Sequence, residues 1–372
     1  MSRPVVKFNT KENPEFFNVL RKRVNQHFKD KNISKLANTE MKIKTIFMLA
    51  LYFVPMAMIY TGGVTQTSGI LAMWALMGMG MAGIGLSIMH DANHGAYSKK
   101  KWVNQSLGFL INFLGAYHGN WKIQHNVLHH SYTNIEDHDA DIENPIMRFS
   151  PNQERKKGFK YQVFYAPFLY AIMTLYWFVS KDFERVFRYD RQDLLGTQNL
   201  TKNKALFIIA IHKIWYLAFT LIIPIIIVEI PWWQMVLGFI MMHAITGLSL
   251  ALIFQPAHVI GETSFYKIDK NSSVENNWAI HQLKTTSNFA NNARVFSWFV
   301  GGLNNQVEHH LFPKICHVHY RDLSPIVEKT AKEFGVPYYQ HATFFEAVSS
   351  HFRLLNDLGT GNYDLKREQV IS

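Results

Sequence analysis

The sequence predicts an all-α integral membrane protein: four transmembrane helices in two hairpins, with a cytoplasmic helical cap that holds a histidine-rich metal site. Three observations predict it. Long apolar runs recur along the 372 residues, two long stretches carry no Lys or Arg, and eight of the 18 histidines fall into four tight groups that each follow an apolar run. The length would allow two soluble domains, but the apolar runs favour one membrane-embedded unit. The single cysteine, Cys316, leaves no disulfide framework and no thiolate cluster, so any metal is held by nitrogen and oxygen.

Residues 1–44 are polar and basic, with no hydrophobic core and cleavage site of a secretory signal. Within them Pro14, then Phe16, Phe17, Leu20, Val24 and Phe28 at helical spacing, predict an amphipathic helix, packed on its own protein rather than on lipid. Residues 45–319 form the membrane body. The spans are placed at about 45–63 and 70–89, then about 211–230 and 232–254, each near the ~20 residues a bilayer requires. Trp232 and Trp233 stand at the second turn, where an interfacial aromatic belt lies. No Lys or Arg occurs between Thr45 and Ser98 or between Ile214 and Tyr266. Both turns therefore face outward, and the termini, the histidine groups and most of the net charge of +11 lie in the cytoplasm.

Residues 105–119 are too short to span, but 161–180 are long enough. Were the latter to cross, three spans would separate His130 from His309 and put them on opposite faces. A shared site forbids that, so 161–180, broken at Pro167 and followed by the charged run Lys181–Arg191, is expected in the interface. Lys213 and His212 are read as snorkelling at the edge of the third span. Residues 320–372 form the cap, with one helix starting at Ser324-Pro325 and another at a Thr343/Glu346 capping box.

The chemistry sits in the histidine groups. His90 and His94 are one helical turn apart at the end of the second span, and His125, His129 and His130 fall within six residues. His258 ends the last span, and His309 and His310 follow Gln306 by about one turn. They supply too many nitrogens for one tetrahedral zinc and enough for two metals of higher coordination number, of which two irons suit imidazole best. His118, His138, His243, His281, His317 and His319 are read as hydrogen-bonding or surface residues, and Trp278–Phe289 yields no chemistry from its spacing.

The order H-x3-H, H-x3-HH, a lone histidine at the end of the last span, then Q-x-x-HH before Leu311-Phe312-Pro313 resembles the membrane fatty acid desaturases, from about Lys7 to Tyr320. Gln306 in the third box is similar to the front-end or linoleoyl-CoA-desaturase-like branch. The resemblance implies a diiron centre (two Fe ions), dioxygen as co-substrate, and an acyl chain, on CoA or lipid, that loses two vicinal hydrogens to give a cis double bond. Carried over, the ligands are His90, His94, His125, His129, His130, His258, His309 and His310, with Gln306, Gln255, Asp91 and Glu308 as surrounding partners and Asp137, Asp139 and Asp141 as further carboxylates. Where relatives have a ninth histidine this chain has Gln306, and where they place asparagine before the lone histidine it has Phe254 and Gln255.

Electrons are expected from a separate ferredoxin or cytochrome b5 with its reductase, since the His-Pro-Gly-Gly haem signature is absent. The basic face would favour an acidic donor, CoA phosphates or anionic lipid, and no nucleic-acid partner is expected. The membrane would be the bacterial inner membrane or the eukaryotic endoplasmic reticulum. Trp102, Phe109, Phe113, Trp121, Phe254 and Phe296 are candidates to line an acyl tunnel, although packing explains each of them as well. Two other classes compete: a diiron hydroxylase or ketolase on a hydrocarbon or carotenoid, and a membrane metal transporter or haem protein. A transporter would hold its ligands at mid-bilayer, and haem would use only two histidines.

Overall fold

The structure is a computed structural model that describes residues 6–268 and 273–364. It is mostly helical, and five helices are long and apolar enough to cross a membrane: Thr39–Tyr60, Thr67–Asn93, Lys157–Arg191, Lys202–Ile227 and Trp232–His258. The chain divides into two compact units.

The first unit comprises Ala37–Ile123 and Phe168–Ala251. Its first long helix starts at Thr39, earlier than the apolar run, because Asn38 caps it by accepting from Met41 N at 3.0 Å. The Thr67 helix packs against it at Gly80, where a Cβ would meet Tyr52 N at 2.7 Å, so only glycine permits this approach. Gly247 does the same for the Trp232 helix against the carbonyls of Tyr170 and Ala171. Residues 105–119 form no long helix: Lys101–Gly108 is α-helical, Phe109–Leu114 is a 3₁₀ turn, and Gly115 at φ +75° ends it.

Two expectations fail. Pro167 does not break its segment, because the helix runs through it from Gln162 to Tyr176 and on to Arg191. A proline costs a helix only the hydrogen bond to residue i−4 and a local clash, and a long apolar helix on either side outweighs that. Lys213 does not snorkel: it is buried and donates to Gly115 O, Trp177 O and the Asp182 carboxylate. Asp182 also accepts from Tyr117 N at 2.9 Å and Asn120 Nδ2 at 3.0 Å, so the charge pair is fully hydrogen-bonded, the condition under which burial is tolerable. His243, as expected, is a hydrogen-bonding residue, paired with the Tyr216 hydroxyl at 2.9 Å and Thr174 Oγ1 at 3.0 Å.

The second unit holds Gln124–Pro167, the chain from Leu252, and the segment that ends at Leu36. The amphipathic helix runs Phe16–Asp30, and its Phe16, Leu20, Val24 and Phe28 are buried against Leu311, Phe312, Leu323 and Val327. Burial of four such side chains, at about 2 kcal/mol each, fixes this helix to its own protein. Arg23 adds a hydrogen bond to Thr330 and an ion pair with Glu333. The cap helix starts at Tyr320, not at Ser324-Pro325, because the His317–His319 turn leads straight into it and Pro325 lies inside. The Thr343/Glu346 capping box is present and starts Phe344–Thr360. Ser287–Phe289 pairs in parallel with Tyr339–His341, which ties the strand before the third histidine group to the cap.

Candidate metal centre

In the first unit, Thr67–Gly83 passes through a π-helical turn, Ile84–Ile88, into the Met89–Asn93 turn that carries His90. His90 and His94 stand with ring centroids 4.8 Å apart, and Trp121 presents its edge to both at 5.7 and 5.9 Å. Asp91 lies 3.7 Å from His90 Nδ1.

In the second unit the second histidine group sits on a π-helix, Lys122–His129. A π-helix closes its turn from i to i+5, so residues four and five ahead both fall near the starting face. An α-helix would carry His130 round the side. Here His130 Nε2 reaches His125 Nε2 at 3.2 Å and His309 Nε2 at 2.9 Å. His129, His258 and His310 form one buried group, and His130, His309 and His310 another, with the ligand atoms of each group within 4.8 Å of one another. His310 belongs to both. All six imidazoles, His125 included, are buried.

The rings are held from behind. His129 Nδ1–H donates to Asp139 at 3.1 Å, with Asp141 at 3.5 Å, and Asp139 also accepts from Asn134 N. His258 Nδ1–H donates to Thr285 O at 3.1 Å, and His310 Nδ1–H to Gln282 Oε1 at 2.8 Å. His309 Nδ1 pairs with the Tyr320 hydroxyl of the cap at 3.3 Å. Bonds of this kind fix the tautomer and place the lone pair on Nε2, the nitrogen left for a metal. In His258 that Nε2 is buried with no hydrogen-bond partner among the described residues. An orphaned buried acceptor costs about 1–3 kcal/mol, which a metal ion would recover. The donor set is nitrogen throughout and suits iron.

In His129 the electrostatics hold a second proton that a metal at Nε2 would have to displace. Burial pulls the His129 imidazole down, but the Asp139 carboxylate outweighs it and raises the pKa to about 9. Burial pushes Glu308 up to about 7, against hydrogen bonds from Asn288 Nδ2 at 2.8 Å and the Tyr338 hydroxyl at 2.9 Å. Glu308 thus braces the Gln306–Leu311 helix against the cap. Gln306 is fully buried, and neither of its amide atoms has a hydrogen-bond partner among the described residues; Gln255 Oε1 is likewise buried without one. Phe254 lies with its ring 6.2 Å from that of His125. Trp102 is 64% exposed, and Phe296 packs on Phe289 and Phe344. Sequence reasoning missed Gln282, Thr133 and Thr285, which carry no spacing signal.

Apolar helices of membrane-spanning length together with buried histidine clusters that could hold a metal ion are the features of a multi-pass membrane protein. The fatty acid desaturase family model matches residues 68–342, and the chain belongs to that family. It is 35% identical to the sn-1 linoleoyl-lipid 6-desaturase of Arthrospira platensis, over 91% of each chain. The sn-1 linoleoyl-lipid 6-desaturase of Synechocystis is 34% identical, over 95% of this chain and 98% of that one. An acyl-lipid (8-3)-desaturase of Physcomitrium patens is 34% identical over 95% of this chain and 74% of its own length.

Proposed function

We propose that this desaturase is of front-end type and acts on acyl lipids, using dioxygen and two electrons at a diiron centre. The observation that carries this reading is the pair of buried imidazole groups that share His310. Two overlapping groups suit two adjacent ions, and the relatives named above act on acyl lipids. The proposed ligands are His90, His94, His125, His129, His130, His258, His309 and His310, with water or the Gln306 amide completing the set.

The overall change is –CH2–CH2– + O2 + 2 e⁻ + 2 H⁺ → –CH=CH– + 2 H2O. When bound, the two irons supply the oxidising power that an unactivated methylene demands. The protein does the rest: Asp139, Thr285 and Gln282 hold imidazole protons on Nδ1, so that each ring offers Nε2 in a fixed direction. The buried ring of Trp121 and the partly buried ring of Phe254 give the histidines apolar neighbours, which favours an alkyl chain over water. A separate ferredoxin or cytochrome b5 is the proposed donor, meeting a basic cytoplasmic face.

Four crossings fit this reading better than five. His130 and His309 Nε2 atoms lie 2.9 Å apart, so an even number of crossings separates them, whereas three candidate helices lie between. Lys157–Arg191 is the proposed interfacial one: only 17% of its apolar stretch is buried in the protein, and it ends in charge.

Lipid profiling of cells that express the chain, with the double bond located chemically, tests the function. The expected product lacks two hydrogens and carries a new cis double bond on the carboxyl side of an existing one. A product that gains oxygen instead would establish the hydroxylase class and overturn the proposal.

A further inference from the structure

We infer that Gln282 is a positioning residue for the metal centre: it sets the tautomer of His310, the imidazole common to both histidine groups. The inference rests on His310 being a ligand, as proposed above. It concerns the one stretch, Trp278–Phe289, that spacing left without chemistry.

The helix Trp278–Lys284 is capped by Asn277, whose side chain accepts from Ile280 N, and it is buried along Ala279–Leu283. Three of its side chains grip the segment that follows the second histidine group. Trp278 Nε1 donates to His130 O at 3.1 Å, His281 Nε2 donates to Thr133 O at 2.7 Å, and Gln282 Oε1 lies 2.9 Å from Thr133 Oγ1. The same Oε1 takes the His310 Nδ1 proton at 2.8 Å. Gln282, Thr133 and His310 are all fully buried. Thr133 Oγ1 is a second, longer neighbour of His310 Nδ1 at 3.3 Å, so the amide oxygen supplies the shorter of two links from the second histidine group to the third.

The direction of the amide decides the chemistry. With Oε1 on His310, Nδ1 must carry the proton, and the lone pair sits on Nε2. Turned over, the amide would offer N–H to Nδ1 and force the ring proton onto Nε2, where it would block a metal. Thr133 opposes the turned state only partly, since its single hydroxyl proton is shared between Gln282 Oε1 and His129 O, at 2.9 and 2.7 Å. A bound ion favours the Oε1-inward state, because only that state leaves Nε2 able to ligate. The Nε2 lone pair of His310 can bind one ion, so a wrong tautomer would take His310 out of that ion's ligand set.

The test uses the full-length protein in detergent, with iron per chain after graded chelation and the visible spectrum of the cobalt(II)-loaded protein as readouts. Q282M keeps the length and removes the acceptor; metal affinity should fall about 10- to 100-fold, with a changed cobalt spectrum. Q282E keeps an acceptor that cannot turn over, and should retain metal within a few-fold of the parent. If Q282E loses metal, or if folded Q282M holds both metals with an unchanged spectrum, the inference is overturned. H310A separates the two layers: metal retained in H310A removes the ligand assignment itself, whereas metal lost in H310A but kept in Q282M removes only the role of Gln282.

Discussion

His310 is the residue on which the centre turns, because it stands both with His129 and His258 and with His130 and His309. His310→Ala should abolish desaturation and lower iron from about two per chain, measured by elemental analysis, while the protein still reaches the membrane. Asp139→Asn should weaken metal retention about 10- to 100-fold, since it removes the carboxylate that holds His129 Nδ1–H. The raised pKa of His129, about 9, gives a sign to the pH dependence. A metal must displace a proton from this ring below that pH, so metal uptake should release protons and tighten as pH rises toward 9. Titration calorimetry in buffers of different ionisation enthalpy would count those protons; no release between pH 6 and 8 would contradict the pairing. All eight proposed ligands were legible as residues, seven from clustering and His258 from its place at the end of the last span, with the resemblance joining them into one set. Gln282 and Thr285 were not, because a partner that meets an imidazole from a distant helix leaves no periodicity in its own segment.

Helices show where periodicity runs out. Apolar runs located the long helices, and Thr343 with Glu346 located the last one, since both signals are local. Spacing could not distinguish an α-turn from a π-turn, and the difference brings His130 to the same side as His125. Proline was the poorest guide. Pro167 and Pro325 both lie inside helices, where flanking contacts outweigh the lost hydrogen bond. Close contact between helices was not legible either, because it depends on which glycine faces a neighbour. Gly80→Leu should separate the first two long helices, at a cost of about 1–3 kcal/mol, and lower the detergent melting temperature without altering the histidines.

At the scale of the whole chain, the five candidate helices number one more than the proposed centre would allow to cross. Cysteines introduced singly at 64–69 and at Lys157 test the topology. A reagent that cannot pass the membrane should label the first from outside and the second only from the cytoplasm. Labelling of Lys157→Cys and of a cysteine placed at Arg191 from opposite sides would mean five crossings. Removing the proposed metal should also cost stability in the second unit, since the buried Nε2 lone pairs then lose the ion they coordinate; chelated protein should melt earlier and recover when iron is restored.

The 2.9 Å approach of His130 to His309 joins residues 179 apart in the chain, with several helices between them. That distance along the chain sets an order in time. During synthesis the second histidine group leaves the ribosome long before the third, and the intervening helices must enter the bilayer before the two can meet. The proposed centre could therefore not be filled step by step as the polypeptide emerges. On the proposed reading, cofactor loading would fall to a chain already inserted as far as its third histidine group, late in maturation and dependent on iron supply at that point.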